Sequence, residues 1–165
     1  MKRSRALTSL SRDHHQALVI AQKLRRADAD GAEEACTAFI AYWSEHGAQH
    51  FRLEEELLLP AYAAHGDPHH PLVLQALGDH VAIRQRAARL MSAGEPTPDE
   101  LRDVGTRLAA HVRLEERELF PMIERAMPPD ELLAVARALE GADQTWSNTT
   151  SARTRTSSET STRPA

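Results

Sequence analysis

Two histidine–glutamate pairs in this chain share one spacing: His50 with Glu54, and His111 with Glu115. Residues four apart on a helix stand on one face, one turn above the other, so each pair presents an imidazole and a carboxylate to the same side. His14 and His80 fall within apolar stripes elsewhere in the sequence. Leu7, Leu10, His14, Ala17, Ala21 and Leu24 step by threes and fours, as do Val73, Leu77, His80, Ile83, Ala87 and Leu90. Packed face to face, such helices bring four imidazoles and two carboxylates into one interior layer. Nitrogen and oxygen donors of this kind suit iron, manganese or zinc, and the two oxygens of a carboxylate let each glutamate bridge two ions. Without metal, the same layer holds two desolvated acids with no lysine or arginine to neutralise them, which is costly. A single histidine on an apolar face is ordinarily a hydrogen-bonded core residue. Four of them, two followed one turn later by glutamate, form a metal-site pattern.

The pairs sit in an internal repeat. HFRLEEELLLP (50–60) and HVRLEERELFP (111–121) are identical at seven of eleven positions. The other two histidines share a shorter echo, Asp13-His14 and Asp79-His80, each followed by Ala21-Leu24 or Ala87-Leu90 at matching offsets. Two similar helices in a symmetric bundle would explain the repeated leucines. They would not explain repeated histidine and glutamate on the core side.

Positioning these groups requires four helices. The first carries the His14 stripe, with Ser9 or Ser11 as candidate caps, and breaks near Gly31. The second carries Phe39, Trp43, His46, His50, Leu53 and Leu57 and runs to about Tyr62, before the turn-rich HGDPHHP. The third carries the His80 stripe and ends near Gly94. Thr97-Pro98-Asp99-Glu100 reads as a capping box that opens the fourth, which carries Leu101, Val104, Leu108, His111, Glu115, Leu119 and Met122. A short fifth helix is expected from Asp130 to about Glu140, after Pro128-Pro129. No segment alternates as a strand does. The fold expected is all-α: an antiparallel up-down four-helix bundle over residues 1–140 with a short extra helix. Residues 141–165 are rich in Ser, Thr and Arg and read as a disordered tail in which Trp146 is solvated.

Composition narrows the function. A net charge of −4 offers no basic footprint for nucleic acid. One cysteine excludes an internal disulfide framework and a cysteine-built zinc site, and Cys36 reads as a small buried residue. No apolar run approaches a membrane span, and the basic N-terminus has no apolar signal core, so a cytoplasmic location is expected. HExxH, ExxH, GxGxxG, P-loop and GxSxG motifs are all missing.

With these residues in place, the chain resembles the hemerythrin-like (HHE cation-binding) family over about residues 8–125, through the set DH…HFxxEE…LxP…DH…HxxxEE…LFP. The resemblance implies a non-haem di-iron centre with His14, His50, Glu54, His80, His111 and Glu115 as ligands, Glu54 and Glu115 bridging. It further implies two iron ions, with manganese or zinc as lesser alternatives, joined by a bridging oxo or hydroxo group. The chain departs from hemerythrins proper in two places. These carry a second histidine one turn from the third-helix histidine, where this chain has Arg84 and Ala76. On the fourth helix they carry Asp at plus five, where this chain has Glu at plus four. One iron is thereby left a ligand short, which favours oxygen or peroxide chemistry, or a solvent ligand, over simple reversible carriage.

His46, one turn before His50, and His15, beside His14, are the candidate additional ligands. The spacing favours a supporting or core-filling role for His46 and a solvent-side place for His15. His65, His69 and His70 are expected to be solvated. Glu55, Glu56 and Glu116 read as surface charge, although the recurrence of Glu55 and Glu116 in both repeats leaves a supporting role open. Arg52 and Arg113 read as a solvated face. Pro60 and Pro121 are expected to kink or end their helices just beyond the ligand layer. Three functions compete. The first is a metal protein that binds or senses oxygen, iron or a related small reactive molecule, with a diatomic or peroxide as its ligand. The second is an enzyme reducing peroxide, oxygen or nitric oxide near Arg84. The third is a metal-free interaction bundle.

Overall fold

The computed structural model describes residues 7–92 and 94–142. The expected tail from 143 onward, Trp146 and the basic first six residues lie outside the described residues. Within them the chain is helical, with no strand. Helix α1 spans Thr8–Arg26. The second rod runs without a break as α2 (Ala32–Tyr42), a π-helical turn (Trp43–Gly47), α3 (Ala48–Leu53), a second π turn (Glu54–Leu58) and α4 (Leu59–Ala63). The third rod is α5 (Pro71–Ser92). The fourth is α6 (Pro98–Leu114), a third π turn (Glu115–Leu119) and α7 (Phe120–Ala126). A fifth helix, α8, covers residues 129–142. Short connections make successive rods antiparallel, and the first rod closes the bundle by packing along α6.

The capping box forms as expected: Glu100 N–H donates to Thr97 Oγ1, and Thr97 N–H donates to the Glu100 carboxylate. Neither candidate serine caps α1. The helix begins at Thr8, before both, with Leu7 at the cap position and fully buried. Burial of the leucine, rather than a side-chain cap, fixes that end.

The prolines behave differently from expectation. Each stands two residues past a π turn, and each rod continues through it, to Ala63 and to Ala126. Proline lacks an N–H and crowds the carbonyl one turn back. In the widened turns, Leu59 N–H instead reaches back to Glu54 O and Phe120 N–H to Glu115 O. A π turn of this kind absorbs an extra residue without ending the helix and re-aims what precedes it. Each of the two turns before a proline starts at a candidate bridging glutamate.

The core is in two parts. One holds Ala21, Leu24, Phe39, Ile83, Leu101 and Leu108. The other holds Leu7, Leu10, Leu58, Leu119, Phe120 and Ile123, and α8 adds Leu132, Val135 and Leu139 to it. His65 reaches from the turn after α4 to Glu131 on α8 at 2.5 Å, so it is engaged rather than simply solvated. Cys36 is buried, as expected. Helices α1 and α6 approach closely at Gly105, where an added Cβ would lie 2.6 Å from Ala21 O and 2.9 Å from Leu24 Cβ. A backbone carbonyl cannot swing aside. Gly105→Val is therefore expected to destabilise the bundle by about 1–3 kcal/mol or more through overpacking, read as a lower midpoint in urea unfolding.

Candidate metal centre

All six side chains of the expected layer are buried, each at 4% exposure or less: His14, His50, Glu54, His80, His111 and Glu115. They come from all four rods and meet between the two halves of the core. Their donor atoms fall into two groups. His14, His50, Glu54 and Glu115 form one, and Glu54, His80, His111 and Glu115 form the other, each within 4.8 Å. Both glutamates belong to both groups. Glu54 places Oε1 3.3 Å from His50 Nε2 and Oε2 3.2 Å from His80 Nε2. Glu115 places Oε2 3.1 Å from His14 Nε2 and 3.3 Å from His111 Nε2, and Oε1 3.7 Å from His80 Nε2. His14 Nε2 and His50 Nε2 are 3.0 Å apart.

These spacings suit a shared ion. Two donors about 2.1 Å from one metal, at right angles, stand about 3.0 Å from each other. The hydrogen-bond inventory agrees. Both oxygens of Glu54, Oε2 of Glu115, and Nε2 of His80 and His111 are buried with no hydrogen-bond partner among the described residues. Buried polar atoms are rarely left so, and here they converge on common points. The residues present fit a pair of metal ions.

The outward nitrogens are held separately. His14 Nδ1–H donates to Glu116 Oε1 at 2.7 Å, His80 Nδ1–H to Glu55 Oε1 at 2.7 Å, and His50 Nδ1–H to Asp13 Oδ2 at 3.2 Å. Each bond fixes the ring and turns Nε2 to the interior, the arrangement by which carboxylates orient and strengthen imidazole ligands. Glu55 and Glu116 are thus not surface charge. They follow the inner glutamates by one residue, and the π turn points each at the histidine of a neighbouring rod. Their recurrence in both repeats was the signal for this role. Glu56 does face solvent, paired with Arg52. Arg84 grips Glu55 with both amino groups, at 2.6 and 3.0 Å, and lies 5.6 Å over the Phe51 ring. His15 is exposed, as expected. His46 is about half exposed, stands outside both donor groups and has Glu45 at 3.9 Å, so it neither fills the core nor joins the layer.

Electrostatics of the metal-free layer explain how it tolerates two acids. Burial disfavours the cation on His50, but Glu54, Asp13 and Glu115 outweigh it and raise the imidazole to about 10. Burial likewise opposes charge on His80, and Glu115 and Glu54 raise it to about 9. Burial pushes Glu54 up, and His50 and His80 hold it well below its ordinary value. Burial and the charge of Glu54 push Glu115 up, and His111, His14 and His80 hold it down. Burial keeps His111 below its ordinary value against the pull of Glu115, with His80 adding to the effect. Histidines thus supply the positive charge that no lysine or arginine provides.

A ligating histidine must be neutral. At pH 7 the metal-free chain carries His50 and His80 protonated, because both are raised well above 7. Loading at pH 7 is therefore expected to release about two protons, read from the dependence of binding heat on the ionisation enthalpy of the buffer. Acid strengthens the competing proton and weakens binding; above pH 10 the release disappears. Loading without proton release would mean that His50 and His80 are already neutral in the metal-free chain or stand outside the ligand set.

Comparison with known families agrees with this geometry. A family model described as the hemerythrin HHE cation binding domain matches residues 5–123. No curated protein and no solved structure gives a significant match. No helix of the described residues is long and apolar enough to cross a membrane.

Proposed function

The chain belongs to the hemerythrin HHE cation-binding family, and from that premise we propose that it holds two iron ions and uses them to bind or sense oxygen or a related small reactive molecule. One observation carries the reading: Glu54 and Glu115 serve both donor groups, so each ion position has two histidines and two shared carboxylates. Held by these four donors, iron would supply redox chemistry and leave room for a diatomic or peroxide ligand.

The residues around the layer do the rest. Phe120 stacks on His14 with centroids 5.3 Å apart, and Phe51 stacks on His80 at 3.9 Å. These rings lay apolar surface against the layer, and its six side chains are buried from bulk water. Tyr42, also buried, is held neutral, since burial and the nearby acids Asp13, Glu54 and Glu115 push its phenol well up. The enzymatic alternative draws on the ligand position left open where Arg84 stands in place of a histidine; Arg84 is paired with Glu55 and supplies no donor there.

The test is anaerobic loading with Fe(II), followed by oxygen, peroxide and nitric oxide in turn. A stoichiometric change in the visible spectrum with at least one of them supports the reading. Repeated consumption of the added molecule supports the enzyme, and an iron-loaded chain unresponsive to all three overturns both.

A further inference from the structure

The two halves of the layer correspond residue by residue, and they differ at the outward nitrogens of His50 and His111. His14 and His80 correspond by the repeat, and each has a glutamate on its outward nitrogen, Glu116 and Glu55. His50 and His111 correspond as well, and here the match fails. Asp13, which precedes His14, accepts from His50 Nδ1. The corresponding Asp79, which precedes His80, is taken by Arg107, whose Nη1 donates to Asp79 Oδ1 at 3.1 Å. His111 Nδ1 is left buried with no hydrogen-bond partner among the described residues. Arg107 stands one turn before His111. The corresponding residue one turn before His50 is His46, which points to solvent and leaves Asp13 free to reach His50.

We infer that the Arg107–Asp79 pair makes the two metal positions unequal, so that the position at His14 and His50 fills first and the position at His80 and His111 is the weaker, exchangeable one. This rests on the two-metal reading above. A carboxylate on the outward nitrogen fixes an imidazole ligand and raises its basicity, and loss of such a partner typically lowers metal affinity about 10–100-fold. The first position has two such imidazoles. The second has one, the His80 imidazole held by Glu55. Arg107 acts through Asp79 and touches no ion, so it is a positioning residue. One exchangeable position beside one held position gives the chain a built-in way to respond to metal supply.

Stepwise addition of Co(II) to the full metal-free chain, followed by its visible bands, tests this. Two uptake steps separated by about tenfold or more are expected. Arg107→Met frees Asp79, tightens the second step and closes the gap. Arg107→Lys keeps the ion pair and restores the wild-type separation, which a merely structural role for Arg107 would not require. Asp13→Ala closes the gap from the other side, by weakening the first step. Two ions taken up with equal affinity by the wild-type chain would overturn the inference and leave the two-metal reading standing, and so would Arg107→Met with the separation unchanged. A folded wild-type chain that takes up no Co(II) would overturn both.

Discussion

Replacing Glu54 with alanine is expected to strip the chain of both ions. Glu54 faces His50 with one oxygen and His80 with the other, so its loss takes a donor from each group. Each position falls from four protein donors to three, and the one remaining shared carboxylate, Glu115, cannot neutralise two divalent cations. The expected metal content falls from about two per chain to well below one, since losing a donor costs more than losing an outer partner, which costs about 10–100-fold. The fold survives, because an imidazole that loses its acidic partner can shed its proton rather than stay charged in the interior. Elemental analysis beside a far-UV circular dichroism spectrum separates loss of metal from loss of structure. Glu56→Ala is the control: it lies two residues further on, is exposed and pairs with Arg52, and it leaves metal content unchanged.

Phe51→Ala is expected to give the largest loss of stability among the residues near the layer. The ring lies parallel to His80 at 3.9 Å, edge-on to His111 at 5.1 Å and edge-on to Trp43 at 5.4 Å, and it is 2% exposed. Removing a buried phenylalanine ring costs about 3–5 kcal/mol through lost burial and the cavity left behind. For a chain of this size that lowers the melting temperature by roughly 6–20 °C. The cavity opens beside His80, so water gains access to the layer, and the loss is expected in metal-free and loaded protein alike. A drop of less than about 1 kcal/mol would mean that the site collapses onto the gap, against the close packing of the interior.

Much of this was legible in the residues. Threes-and-fours spacing placed His14, His50, His80 and His111 on inward faces, and the i, i+4 relation placed Glu54 and Glu115 with them. The capping box at Thr97 and the fifth helix after Pro128 followed from local chemistry alone. What could not be read was local helix geometry. An α-helical wheel has no π turn, so it sent Glu55 and Glu116 outward and made Pro60 and Pro121 helix breakers. With the π turns in place, the same residues brace His80 and His14, and the rods run on through the prolines. The roles of His46 and Arg107 were equally hidden. They occupy matching places in the repeat, and only tertiary packing shows that one faces solvent while the other withdraws Asp79 from His111.

The buried layer, in which Glu54 and Glu115 serve both donor groups, is expected to hold two metal ions. Elemental analysis of the purified full chain, produced with iron available, tests this most directly. About two iron ions per chain are expected, one for each donor group. A well-folded chain with no bound metal would contradict this and move the reading to an interaction bundle.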